Sequence, residues 1–133
     1  KLADFIRNRA RSFIYTTALP PASCGAAIAA IKRIKADPGL RVKLFENLGA
    51  LRDGLSSLSG VRGDPRVPIV PLVLGDPAYT MQCSRKLLDR GFLVPGIRPP
   101  TVPAGESRLR ITVTAAHTRG QIADFLKALE ECL

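Results

Sequence analysis

The chain has 133 residues, 46% of them apolar and 23% charged, with a formal net charge of +9. That length suffices for a domain with its own core, and the apolar share excludes a disordered chain. No apolar run approaches the roughly 20 residues that a membrane-spanning helix needs, so no membrane role is expected.

The first residues, KLADFIRNRARSFIY, are basic and lack the apolar region and small-residue cleavage site of a signal peptide. The chain starts without methionine, which suggests a piece of a longer protein. Residues 12–18 (SFIYTTA) read as a short β-prone run. Pro20-Pro21 breaks it, and residues 22–36 read as a helix with Ala27, Ile31 and Ile34 near one face. Asp37-Pro38-Gly39 ends that helix. A second helix is predicted over residues 40–58, where Leu44, Leu48, Leu51, Leu55 and Leu58 form one apolar stripe.

Residues 60–65 read as a loop. Residues 68–74 (PIVPLVL) form a strand candidate whose internal Pro71 lacks a ladder donor, so an edge or a bulge is expected. Asp76-Pro77 opens a helix as N-cap and first position; it runs to about Arg90, with Gly91 as its C-terminal cap. Residues 92–97 are predicted to return as a strand. A Pro/Gly-rich loop follows over residues 98–107. Residues 108–114 then alternate, with Leu109, Ile111 and Val113 on one face and Arg108, Arg110, Thr112 and Thr114 on the other, as in a strand buried on one side only. Thr118 and Gln121 form a capping box. The helix it starts carries Ile122, Phe125, Leu126, Leu129 and Leu133 on one face. The expected fold class is α/β, a small sheet carrying helices on one face.

Several chemistries are poorly supported. Lys and Arg are scattered rather than clustered, aromatic residues are only 5%, and Trp is absent, so stacking platforms for nucleic acid are scarce. Cys24, Cys83 and Cys132 show no metal-ligand spacing. They read as small buried hydrophobes suited to a reducing, cytoplasmic compartment. His117, the single histidine, reads as structural at a helix entry, and nothing nominates it as the base of a nucleophile system. No metal site, phosphate-binding loop or dinucleotide fingerprint is present.

The chemistry concentrates in residues 96–117, GIRPPTVPAGESRLRITVTAAH. Pro99, Pro100 and Pro103 fix φ, so a loop built on them loses little entropy on holding a ligand. Arg98, Thr101 and Arg110 would suit a carboxylate if they converge, because guanidinium binds one bidentately. The same residues also fit an exposed loop with ordinary surface charges.

This string closely resembles the C-terminal motif of the pyridoxal-phosphate-dependent α-oxoamine synthases. Its RPPTVP form looks most like the members that make 8-amino-7-oxononanoate in biotin biosynthesis. Residues 11–22 (RSFIYTTALPPA) also resemble the family, at the point where its chain leaves the large domain. The resemblance implies the C-terminal small domain of a fold-type-I enzyme, with a mainly antiparallel sheet. Residues 1–19 would leave the large domain and residues 20–133 would form the small one. It implies a homodimer with pyridoxal 5'-phosphate as cofactor, condensing L-alanine with pimeloyl-coenzyme A or a pimeloyl carrier protein and releasing CO2.

By the same resemblance, Thr101, Arg98 and Arg110 are substrate-binding, the arginines at the amino-acid carboxylate or the loop over it. Thr16 and Thr17 are cofactor-binding, at the phosphate of the neighbouring subunit. Arg108 is structural. The Schiff-base lysine is expected upstream of Lys1, so no catalytic residue is assigned and the chain alone is expected to be inactive. Another α-oxoamine synthase using glycine or serine, or a non-catalytic basic binding module on this fold, remains an alternative.

Overall fold

The alternation at residues 108–114 becomes the middle strand of a three-stranded sheet in the computed structural model, which describes residues 1–133. The strands are β1 (Ile69–Gly75), β2 (Gly96–Ile97) and β3 (Ser107–Thr112), in the order β1-β3-β2, and both pairings are antiparallel. Val70 pairs with Ile111 and Leu72 with Leu109. Those residues are buried, so they form the covered face. Arg108, Arg110 and Thr112 alternate to the opposite face, which the helices leave open.

Pro71 is accommodated at the sheet edge, as its missing N–H requires. β1 is an edge strand, a bulge falls between Val73 and Gly75, and the Pro71 carbonyl accepts from the Arg62 N–H at 2.9 Å. The Gly60 carbonyl accepts from the Val73 N–H at 2.9 Å, so residues 60–62 strap the edge. A Cβ on Gly60 would lie 2.3 Å from the Val73 carbonyl oxygen. Gly60→Ala is therefore expected to push the strap off β1 and cost about 1–3 kcal/mol. The check is a urea midpoint that falls with the slope unchanged; an unmoved midpoint would contradict the close approach.

Three helices, α4 (Gly39–Gly54), α5 (Pro77–Asp89) and α6 (Arg119–Glu130), complete this unit, which spans Pro38–Leu133. α5 packs against all three strands, and α4 packs against α6. The leucine stripe supplies Leu48, Leu51 and Leu55 to the core, with Leu44 and Leu58 packed against its margin. Each fully buried leucine contributes about 1.5–3 kcal/mol relative to exposure. The caps are those read from the sequence. Asp76 Oδ1 accepts from the Tyr79 N–H at 2.6 Å, Gly91 takes φ +86°, and Thr118 and Gln121 form the reciprocal capping box. Phe92 stacks edge-on against Phe125 with centroids 5.6 Å apart.

A second unit, Lys1–Asp37, contains α1 (Leu2–Arg9), α2 (Arg11–Ile14) and α3 (Pro21–Ala36). None of these helices has a buried residue within the chain, and Ile31 and Ile34 are exposed.

Some local expectations are corrected. Residues 12–18 are not extended: α2 and a turn occupy them, with the Ile14 N–H bonded to the Ala10 carbonyl and the Tyr15 N–H to that of Arg11. β-propensity is a fit to a pleated neighbour, and this segment has none in its unit. Residues 92–97 make only a two-residue strand. Pro95 has no N–H, the Phe92 N–H goes to the Leu87 carbonyl, and the Val94 carbonyl accepts from the Ser84 hydroxyl at 2.6 Å. α4 ends at Gly54 rather than at Leu58, Leu133 is exposed, and Cys24 is only half-buried. Cys83 and Cys132 are buried as expected, and burial pushes the Cys83 thiol up.

Candidate functional site

The loop between β2 and β3 begins in a turn, where the Thr101 N–H bonds to the Arg98 carbonyl at 3.0 Å. This turn joins Arg98 and Thr101, and both side chains are exposed without a partner. The Pro99–Pro100 peptide bond is cis. The loop returns through a second turn, with the Glu106 N–H bonded to the Pro103 carbonyl at 3.1 Å, and enters β3 at the fully buried Ser107.

Arg110 stands on the open face of β3, opposite Pro71, and its N–H bonds to the Pro95 carbonyl at 2.9 Å. Its guanidinium is exposed and unpaired. No hydrogen bond or ion pair joins it to Arg98 or Thr101, so the three sequence-predicted residues offer free donors from one strand and its adjoining loop. Arg108 differs. It is the cross-strand partner of Ile97, and its guanidinium donates to the Glu106 carbonyl at 2.9 Å and to Glu106 Oε2 at 2.6 Å. The sheet thus sorts its arginines: Arg108 is neutralised within the chain, whereas Arg98 and Arg110 are available to an anion.

Thr16 and Thr17 lie in the other unit, in the exposed turn after α2. The Thr16 hydroxyl donates to the Ser12 carbonyl, whereas Thr17 has neither its N–H nor its hydroxyl engaged. Thr17 therefore offers donors of the kind that suit a phosphate. No lysine is buried, so none has the enclosed, desolvated surroundings of a Schiff-base amine.

A groove of about 310 Å³ lies elsewhere, lined by residues that include Phe92, Leu93, Val113, His117, Gln121 and Phe125. It includes no residue of the Arg98–Arg110 stretch and no carboxylate or permanent cation. His117 Nδ1 accepts from the Thr114 N–H at 3.2 Å, which closes the turn leading into α6, a helix-entry role consistent with the one read from the sequence.

The aminotransferase class I and II family matches residues 1–129. The chain belongs to that family. Among curated relatives, the 8-amino-7-oxononanoate synthase of Methylococcus capsulatus is 46% identical over 99% of this chain and 34% of its own length. The 8-amino-7-oxononanoate synthase 2 of Bacillus subtilis is 44% identical over 93% of this chain and 32% of its own. The chain thus spans about a third of the length of the curated relatives it matches. A serine palmitoyltransferase variant from S. paucimobilis, with bound PLP-myriocin aldimine, superposes with TM-score 0.88 at 30% identity, over 97% of this chain and 33% of that one. The 8-amino-7-oxononanoate synthase of Francisella tularensis shares the fold, with TM-score 0.79 at 24% identity over 98% of this chain and 38% of that one. The fold class is that expected, a small antiparallel sheet carrying helices as in fold-type-I pyridoxal-phosphate enzymes.

Two features of this family member were not picked out from the sequence. Asn47 is completely buried on α4, and its Nδ2 donates to the Thr114 carbonyl at 3.0 Å and the His117 carbonyl at 2.8 Å. The available signal was a lone amide on the leucine stripe, three residues after Leu44 and four before Leu51. The Glu106–Arg108 pair has only its two-residue spacing at the entry to β3 as a signal.

Proposed function

We propose that this chain is the C-terminal small domain of a pyridoxal-phosphate-dependent α-oxoamine synthase, with residues 1–19 leaving the large domain and residues 20–133 forming the small one. In the full-length enzyme it would take part in condensing L-alanine with pimeloyl-coenzyme A, or a pimeloyl carrier protein, to 8-amino-7-oxononanoate with loss of CO2. The observation that carries this reading is the sorting of the arginines on β3 and its adjoining loop. Arg98 and Arg110 are free, and the Thr101 hydroxyl is available in the turn that Arg98 opens. Together they suit the carboxylate of an amino acid.

When bound, the cofactor supplies an electron sink for breaking bonds at the amino acid's α-carbon. The residues of this chain hold the carboxylate and orient the substrate; orientation of this kind converts binding energy into rate. Thr17, with Thr16 once its hydroxyl turns away from Ser12, would donate to the cofactor phosphate of the neighbouring subunit in a homodimer. The Schiff-base lysine would come from the part of the enzyme that this chain does not cover. A cytoplasmic location fits the free thiols.

The serine palmitoyltransferase likeness favours one second reading, in which serine replaces alanine as the amino acid. A full-length enzyme assay with L-alanine, glycine and L-serine decides between them. Turnover with alanine at least tenfold above the others in kcat/KM, worth about 1.4 kcal/mol, is expected. Equal or greater turnover with serine would overturn the substrate assignment.

A further inference from the structure

We infer that Arg108 is a positioning residue for the carboxylate site: it grips Glu106 and thereby sets the loop that presents Arg98 and Thr101. This inference rests on the reading of that site given above. Its ground is geometric, because both ends of the loop meet at Arg108. The backbone of Arg108 pairs with Ile97, the residue just before the loop, and its guanidinium binds the carbonyl and the carboxylate of Glu106 at the loop's far end. The Arg108 side chain is 22% exposed and that of Glu106 56% exposed. A pair this open adds little to global stability. Its effect is local, since a guanidinium that donates to a carbonyl and a carboxylate of one residue fixes that residue's backbone as well as its charge.

The pair has a second consequence. Glu106 stands just before β3, at the end of the loop, with its carboxylate held by Arg108. Without Arg108, the Glu106 carboxylate would stand unpaired at the end of the loop that presents Arg98 and Thr101. An unpaired carboxylate there would repel an incoming carboxylate. Arg108 therefore holds the loop and also neutralises the carboxylate at its end.

The test uses the full-length, cofactor-loaded enzyme and the single variants Arg108→Gln and Glu106→Gln, the double variant, and Arg110→Ala. Arg108→Gln is expected to raise the KM for the amino acid roughly tenfold, with a smaller change in kcat. Glu106→Gln, which loses the grip but leaves no free anion, should raise it less. The double variant should fall back to the Glu106→Gln value, a non-additivity that a merely structural residue would not show. If Arg108→Gln proves too unstable to assay, Glu106→Gln carries the test: an unchanged KM there overturns the inference. An unchanged KM for Arg108→Gln, alongside a raised KM for Arg110→Ala, overturns the positioning role and leaves the site standing. An unchanged KM for Arg110→Ala removes the site itself, and the inference with it.

Discussion

Arg110→Ala in the full-length enzyme is expected to raise the KM for the amino-acid substrate roughly 100-fold. That factor corresponds to about 2.7 kcal/mol, within the range for a hydrogen-bonded contact to a charged group. The expectation follows from where Arg110 stands. It lies on the middle strand, its backbone is fixed between β1 and β2, and its guanidinium is engaged by nothing else in the chain. A donor fixed on a strand holds a ligand more precisely than one on a loop. Arg110→Lys keeps the charge and loses the fork, so it should fall between the two. Steady-state kinetics at saturating acyl donor provide the measurement. A KM within about twofold of wild type for Arg110→Ala, below 0.5 kcal/mol, would mean that the carboxylate is held elsewhere.

Asn47→Asp is expected to be the most destabilising conservative change in the Pro38–Leu133 unit, at about 3 kcal/mol near neutral pH. Asn47 is fully buried, and its amide group ties the Thr114 and His117 carbonyls to α4. A carboxylate there would face two acceptors with none of the donors it needs, so a charged group would be buried unpaired. The sign of the pH dependence follows. Burial raises the folded-state pKa of the introduced acid above its unfolded value near 3.9. Its penalty is then largest where the acid would be ionised in the unfolded chain, and it shrinks as pH falls toward the unfolded pKa. Urea melts of wild type and variant across acid to neutral pH would read this. A pH-independent difference would show that lost hydrogen bonds, rather than buried charge, account for the effect.

The caps, the leucine stripe and the one-sided strand were legible because each rests on local chemistry. Asp76 and Thr118 cap helices wherever they precede an apolar periodic run, and the alternation at residues 108–114 requires one covered face. The extent of β2 was not legible. Pro95 and the hydrogen bonds of Phe92 and Val94 to α5 shorten it, and those partners lie outside the segment. The helix at residues 11–14 was missed because propensity was read without a neighbouring strand to satisfy it. At the candidate site, residue types and their places on loop and strand were readable. That Arg108 is engaged while Arg98 and Arg110 are free was not, because charge pairing depends on where Glu106 points rather than on the order of residues.

The most direct measurement is a crystal structure of the full-length enzyme with L-alanine bound. The proposed function predicts the substrate carboxylate within about 3 Å of the Arg110 or Arg98 guanidinium, with the Thr101 hydroxyl beside it. A carboxylate held by other groups, with both arginines left in solvent, would contradict it.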